Sequence, residues 1–155
     1  MKNVLIALAL VLFVGCANPP EYYSIDPAFS PAEAEVIRDA VAARCDATDY
    51  CPTEAAVTDR GAINLVDHIK NTGADHCPKG HTCIVAGHND GDSMRIARDR
   101  PGSLDELWLT VAHEMGHYCS GHTKRGLMAA VHEEDSEPLI IDQTAINAWF
   151  DGCGH

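Results

Sequence analysis

Basic side chains are scarce in this chain: 11 Lys and Arg stand against 23 Asp and Glu, a formal net charge of −12 at pH 7 with histidine neutral. That imbalance argues against nucleic acid or an anionic membrane surface as a partner, because both would be repelled. A solvated acidic surface, or a taste for cationic substrates, fits it. Long apolar runs are missing as well. Residues 4–14 form an apolar stretch, but an ordinary transmembrane span needs about 20 residues. There are no internal repeats and no long low-complexity tracts.

What is present begins with an export pattern. Lys2 supplies a positive start, residues 4–14 the apolar core, and Gly15 a small residue ahead of Cys16. The arrangement resembles a bacterial lipoprotein signal, with Phe13 where leucine is usual. That resemblance implies removal of residues 1–15 and lipidation of Cys16, so that a bilayer becomes a partner through the N-terminal anchor. Cleavage at a conventional small-residue site is the alternative. The location expected is the bacterial cell envelope, with the domain periplasmic or extracellular. Ala17, where an acidic residue would favour inner-membrane retention, points to the outer membrane. Losing Lys2 with the leader moves the charge to −13 and leaves 140 residues, enough for one domain with a modest core. The expected division is a signal at 1–15, a tether at 16–29 opened by Asn18, Pro19 and Pro20, and a domain at 30–155; a monomer is expected.

Six cysteines follow Cys16: Cys45, Cys51, Cys77, Cys83, Cys119 and Cys153. An even number in a small exported domain implies three disulfides, with about 15 possible connectivities. Local pairing favours Cys45 with Cys51, Cys77 with Cys83, and Cys119 with Cys153. His76, Cys77, His81 and Cys83 could instead make a second zinc site, although an oxidising compartment favours the disulfide.

Ser30 and Pro31 open an amphipathic helix expected to reach about Arg44, with Ser30 as cap and Glu33 three residues on. Residues 63–66, 83–86 and 94–97 read as short strands, the middle one ended by a turn over 87–92. Asn89, Asp90 and Asp92 in that turn could bind calcium, but the run lacks the remaining ligands of a calcium loop and reads as a hairpin turn. A last helix is expected over about 142–150.

The segment from Ser103 carries the chemistry. Ser103 and Glu106 make a capping box just after the breakers Pro101 and Gly102. Leu104, Leu107, Trp108, Val111, Met115 and Tyr118 then recur at helical spacing as a buried stripe, while Glu106, Thr110, His113 and His117 follow another face. His113 and His117 are four residues apart, about one helical turn, so both imidazoles can reach one tetrahedral zinc ion. Glu114, beside the first of them, is placed to act as general base toward water on the open side of the metal.

Taken together, these elements resemble the metzincin metallopeptidases, most closely the matrixin-like branch. The residues that carry the likeness are Val111 and Ala112 ahead of His113, Glu114 and His117, then Gly121 and His122, then Gly126, Leu127 and Met128, and finally Leu139, Asp142, Ile146, Trp149 and Phe150. The resemblance implies an α+β, zincin-like fold: a small mixed sheet packed on an N-terminal helix and on the helix of the His-Glu motif, with a C-terminal helix. It also implies zinc-dependent hydrolysis of a peptide or protein substrate, with His113, His117 and His122 as ligands, Glu114 as base, and Met128 as the apolar floor beneath the metal. Propeptide cysteine and the aromatic-proline pair usual after the methionine are not seen; Ala129 and Ala130 stand there instead.

The third ligand departs from the family spacing. Ser120 and Thr123 occupy the positions of its glycine and histidine, while Gly121 and His122 fall four and five residues after His117. In a continuing helix His122 would point about 140° away from His117, so it serves only if the chain breaks at Gly121, which glycine permits. His132, Glu133 and Glu134 are the other candidates, in a layout where a second helix supplies a carboxylate. A non-catalytic zinc-binding or envelope-structural lipoprotein is the competing function; retention of Glu114 speaks against it, since structural zinc needs no base. His68, His76, His81 and His88 read as exposed, and His155 is terminal.

Overall fold

A computed structural model describes residues 19–47, 50–70, 85–99 and 102–118. Over them run β1 (Tyr22–Ile25), α1 (Pro31–Ala47), β2 (Thr53–Glu54), β3 (Ala62–Val66), β4 (Gly87–Asn89), β5 (Ser93–Ala97) and α2 (Leu104–Gly116). Both helices start where their capping boxes place them. At α1 the Glu33 amide donates to Ser30 Oγ at 3.3 Å while the Glu33 carboxylate accepts from the Ser30 amide at 2.9 Å. At α2 the matching distances between Ser103 and Glu106 are 3.1 and 3.0 Å. Each box satisfies amides that the first helical turn leaves without partners.

The five strands make one mixed sheet in the order β2-β1-β3-β5-β4. The β1–β2, β1–β3 and β3–β5 pairs are parallel, and β4 runs antiparallel to β5. This is a small α+β fold, and the expected mixed sheet with its N-terminal and motif helices is present in it. Tyr23, Ile63, Met94 and Ile96 from the sheet meet Ile37, Ala40 and Val41 of α1 and Leu107, Val111, Ala112 and Met115 of α2 in one core.

Three expectations need correction. Residues 16–29, expected as a tether, contribute β1, which lies between β2 and β3; pairing with strands far along the chain gives order to a stretch whose local sequence only follows two prolines. Of the strand expected at 83–86, residues 83 and 84 lie outside the described residues and 85 and 86 are not in a strand, whereas Gly87–Asn89, inside the stretch read as a turn, is one. The turn is tighter than expected because Asp90 Oδ1 accepts the amides of both Asp92 and Ser93, at 3.0 and 2.8 Å, and Gly91 adopts φ 90°, a conformation glycine takes without strain. Residues 87–89 are thereby left extended and paired with Met94, Arg95 and Ile96. Finally, α1 continues three residues past Arg44. Instead of ending the helix at solvent, the Arg44 side chain is fully buried, donating to the Met115 carbonyl at 2.5 Å with its guanidinium 5.0 Å from the Tyr50 ring centre.

Cys45 and Cys51 are joined, as local pairing predicts. Cys16, Cys77, Cys83, Cys119 and Cys153, the signal at 1–15 and the helix expected over 142–150 lie outside the described residues.

Candidate metal centre

The apolar stripe of α2 turns Leu107, Val111 and Met115 into the core, which fixes the azimuth of the residues between them. Leu104, expected in the stripe, is 45% exposed, since it stands in the first turn beyond the edge of the core. One turn apart near the other end, His113 and His117 set their Nε2 atoms 3.2 Å from each other, with the rings edge to face. Two nitrogens bound tetrahedrally to one zinc at about 2.0–2.1 Å lie about 3.3 Å apart. The imidazole pair therefore has the separation that zinc requires, and His113, Glu114 and His117 offer ligand atoms all within 4.8 Å of one another.

Glu114 is the buried member of the group, at 5% relative exposure. One carboxylate oxygen lies 3.9 Å from His117 Nε2. Burial pushes its carboxyl up to about 8, opposed by a hydrogen bond from the Asn89 main-chain amide. A neighbouring cation would reverse that shift by favouring the charged form.

The wall behind Glu114 is β4. A methyl group added at Gly87 would come within 2.7 Å of Glu114 Cγ, 2.8 Å of its Oε1 and 2.8 Å of Thr110 Cγ2, so only glycine lets this strand approach so closely. Two residues on, Asn89 Nδ2 donates to the Glu114 carbonyl at 2.7 Å. Gly87 and Asn89 share one face of the strand, as its period of two dictates. In sequence Gly87 reads only as part of a turn and Asn89 only as a calcium candidate. The signal was there in the Gly-His-Asn order directly ahead of an Asx-type turn, but its composition reads as loop.

The side-chain oxygens of Asn89, Asp90 and Asp92 have partners within the protein. Asn89 Oδ1 accepts the Gly91 amide at 2.8 Å, Asp90 holds two turn amides that keep its carboxyl below the usual range, and Asp92 pairs with Arg60 at 2.7 Å. His68 is exposed and paired with Asp99 at 2.6 Å, and His88 is exposed on β4. His122, Met128, His132, Glu133 and Glu134 lie outside the described residues, as do His76, His81 and His155. No protein-family model and no curated protein matches this sequence.

Proposed function

We propose that this chain is a zinc-dependent peptidase with a metzincin-like, zincin-type fold, exported and anchored in the cell envelope through Cys16. The observation that carries the reading is the pairing of two zinc-spaced imidazoles with a buried carboxylate, because a structural zinc site has no use for a base. The Cys45–Cys51 disulfide supports an extracytoplasmic setting. His113 and His117 would hold the ion together with His122, the third ligand that the resemblance implies. Bound zinc would supply a Lewis acid that polarises a peptide carbonyl and lowers the pKa of water to about 7.

Within the chain, Glu114 does the proton work: its carboxylate takes a proton from water and delivers it to the departing amine. Its carboxylate is buried beside the imidazole pair, 3.9 Å from His117 Nε2. Peptide alignment falls to β4, which ends the sheet order among the described residues. An extended peptide adding to a sheet edge is held by main-chain hydrogen bonds regardless of its sequence, and at β4 it would run beside Glu114.

The test uses the full chain and Glu114→Gln. Wild type takes up about one equivalent of zinc and cleaves members of a broad peptide library; the variant keeps the zinc and loses about a hundredfold to ten-thousandfold in rate. His122→Ala is expected to weaken zinc binding more than His132→Ala, Glu133→Ala or Glu134→Ala. Zinc uptake below about a tenth of an equivalent would overturn the reading, since a catalytic site holds one ion. Full zinc without cleavage would favour the non-catalytic envelope module.

A further inference from the structure

Asn89 meets α2 with both its main-chain amide and its side chain. Nδ2 donates to the Glu114 carbonyl at 2.7 Å, and the main-chain amide meets the Glu114 carboxylate. The side chain is also hydrogen-bonded to Tyr118, while Oδ1 accepts the Gly91 amide at 2.8 Å. These partners fix the orientation of the side-chain amide: a carbonyl can only accept, so nitrogen faces Glu114, and a main-chain N–H can only donate, so oxygen faces Gly91. The Glu114 carbonyl sits in the last turn of α2, where it also accepts the His117 amide at 3.2 Å. Carbonyls there have no full helical complement of donors, and Asn89 supplies a second one from a neighbouring element.

We propose that Asn89 is a positioning residue for Glu114: from the face of β4 it holds the end of α2 that carries Glu114 and His117, and with Gly87 it forms the cradle in which the carboxylate is set. The role rests on the reading of Glu114 as general base. The Asn89 side chain acts through Glu114 and not on the reacting groups. Its effect is on where the carboxylate stands, and displacements of about 1 Å at a reacting group cost up to about a hundredfold in rate.

The competing role is local, with Asn89 merely closing the hairpin through Oδ1. Asn89→Asp separates the two. Aspartate keeps the oxygen that accepts from Gly91, and so keeps the turn, but sets a second oxygen against the Glu114 carbonyl. In the full chain two quantities are read: kcat and KM for one cleaved peptide, and the carbon-13 resonance of the Glu114 carboxyl in the zinc-free protein. Positioning predicts that Asn89→Asp leaves the Gly91 and Ser93 amide resonances in place, moves the Glu114 resonance, and lowers kcat about tenfold to a hundredfold with little change in KM. Asn89→Ala should move the Glu114 resonance as well and disturb the turn. If Asn89→Asp leaves kcat and the Glu114 resonance at their wild-type values, the proposal is overturned and the peptidase reading stands. If wild type cleaves nothing while Asn89→Asp still moves the resonance, the peptidase reading falls and the positioning of Glu114 is upheld.

Discussion

The two edges of the sheet, as the described residues build it, are secured by different means. At one edge, β2 has only two residues and is held covalently: the disulfide Cys45–Cys51 ties the end of α1 to the residue just ahead of Pro52 and Thr53. Arg38 of α1 then grips Glu54 through two hydrogen bonds of 2.7 and 2.9 Å. At the other edge, β4 has no covalent staple among the described residues. It is held by close backbone approach at Gly87 and by the hydrogen bonds of Asn89. A short, charged edge discourages further strand addition, whereas an edge resting on a helix with a buried carboxylate couples strand position to the chemistry of that group. The β2 edge is held by a covalent bond and an ion pair, the β4 edge by close packing against Glu114.

Substitution at Gly87 should break this contrast most sharply. Gly87→Ala puts a methyl group within 2.7 Å of Glu114 Cγ, and relief requires β4 or Glu114 to move. Overpacking of this kind costs about 1–3 kcal/mol, and on the proposed peptidase reading the displaced carboxylate should lower peptide hydrolysis about a hundredfold while zinc content, measured by elemental analysis, stays at wild type. Retained hydrolysis would mean that β4 does not set the base.

The opposite edge should answer in stability instead. Replacing Cys45 and Cys51 together with alanine frees a short loop, with a sequence separation of 6, whose closure contributes about 2 kcal/mol by the chain-entropy relation. Urea unfolding should register that loss, and hydrolysis well below the unfolding midpoint should match wild type. A large fall in catalytic rate at unchanged zinc content would show that the β2 edge also reaches the site.

The smallest effect belongs to Arg38 and Glu54. Their hydrogen bonds hold the Glu54 carboxyl below the usual carboxylate range, with partial burial acting the other way. A depressed value in the folded state means that the contribution is present above the ordinary carboxylate pKa and lost as pH falls through the depressed one. Glu54→Gln should therefore be slightly less stable than wild type at neutral pH, and the two unfolding curves should converge on acidification. Surface pairing of this kind is weak, so a large gap at neutral pH would assign the pair a greater part in holding β2.

Local signals in the sequence were enough for both helix starts, because a capping box is closed within four residues, and for the imidazole pair, because one helical turn fixes it. The Cys45–Cys51 pairing was legible for the same reason. Tertiary pairing hid the rest. Tyr22–Ile25 becomes a strand only when Ala62 and Ile63 on one side and Thr53 and Glu54 on the other come to it. Gly87–Asn89 has the composition of a turn and is extended because β5 pairs with it. Arg44 reads as a polar helix end, and its burial depends on the Met115 carbonyl 71 positions away.

Gly87 and Asn89 also supply a means of recognising kin. In sequence the cradle is Gly-x-Asn, then 23 residues, then His-Glu-x-x-His, a signature longer and more discriminating than the five-residue motif alone. A homologue that changes the first position to any residue with a side chain must have a differently seated glutamate, whatever else it preserves. Divergence at those two sites would thus track how Glu114 is seated more faithfully than divergence over the remaining surface.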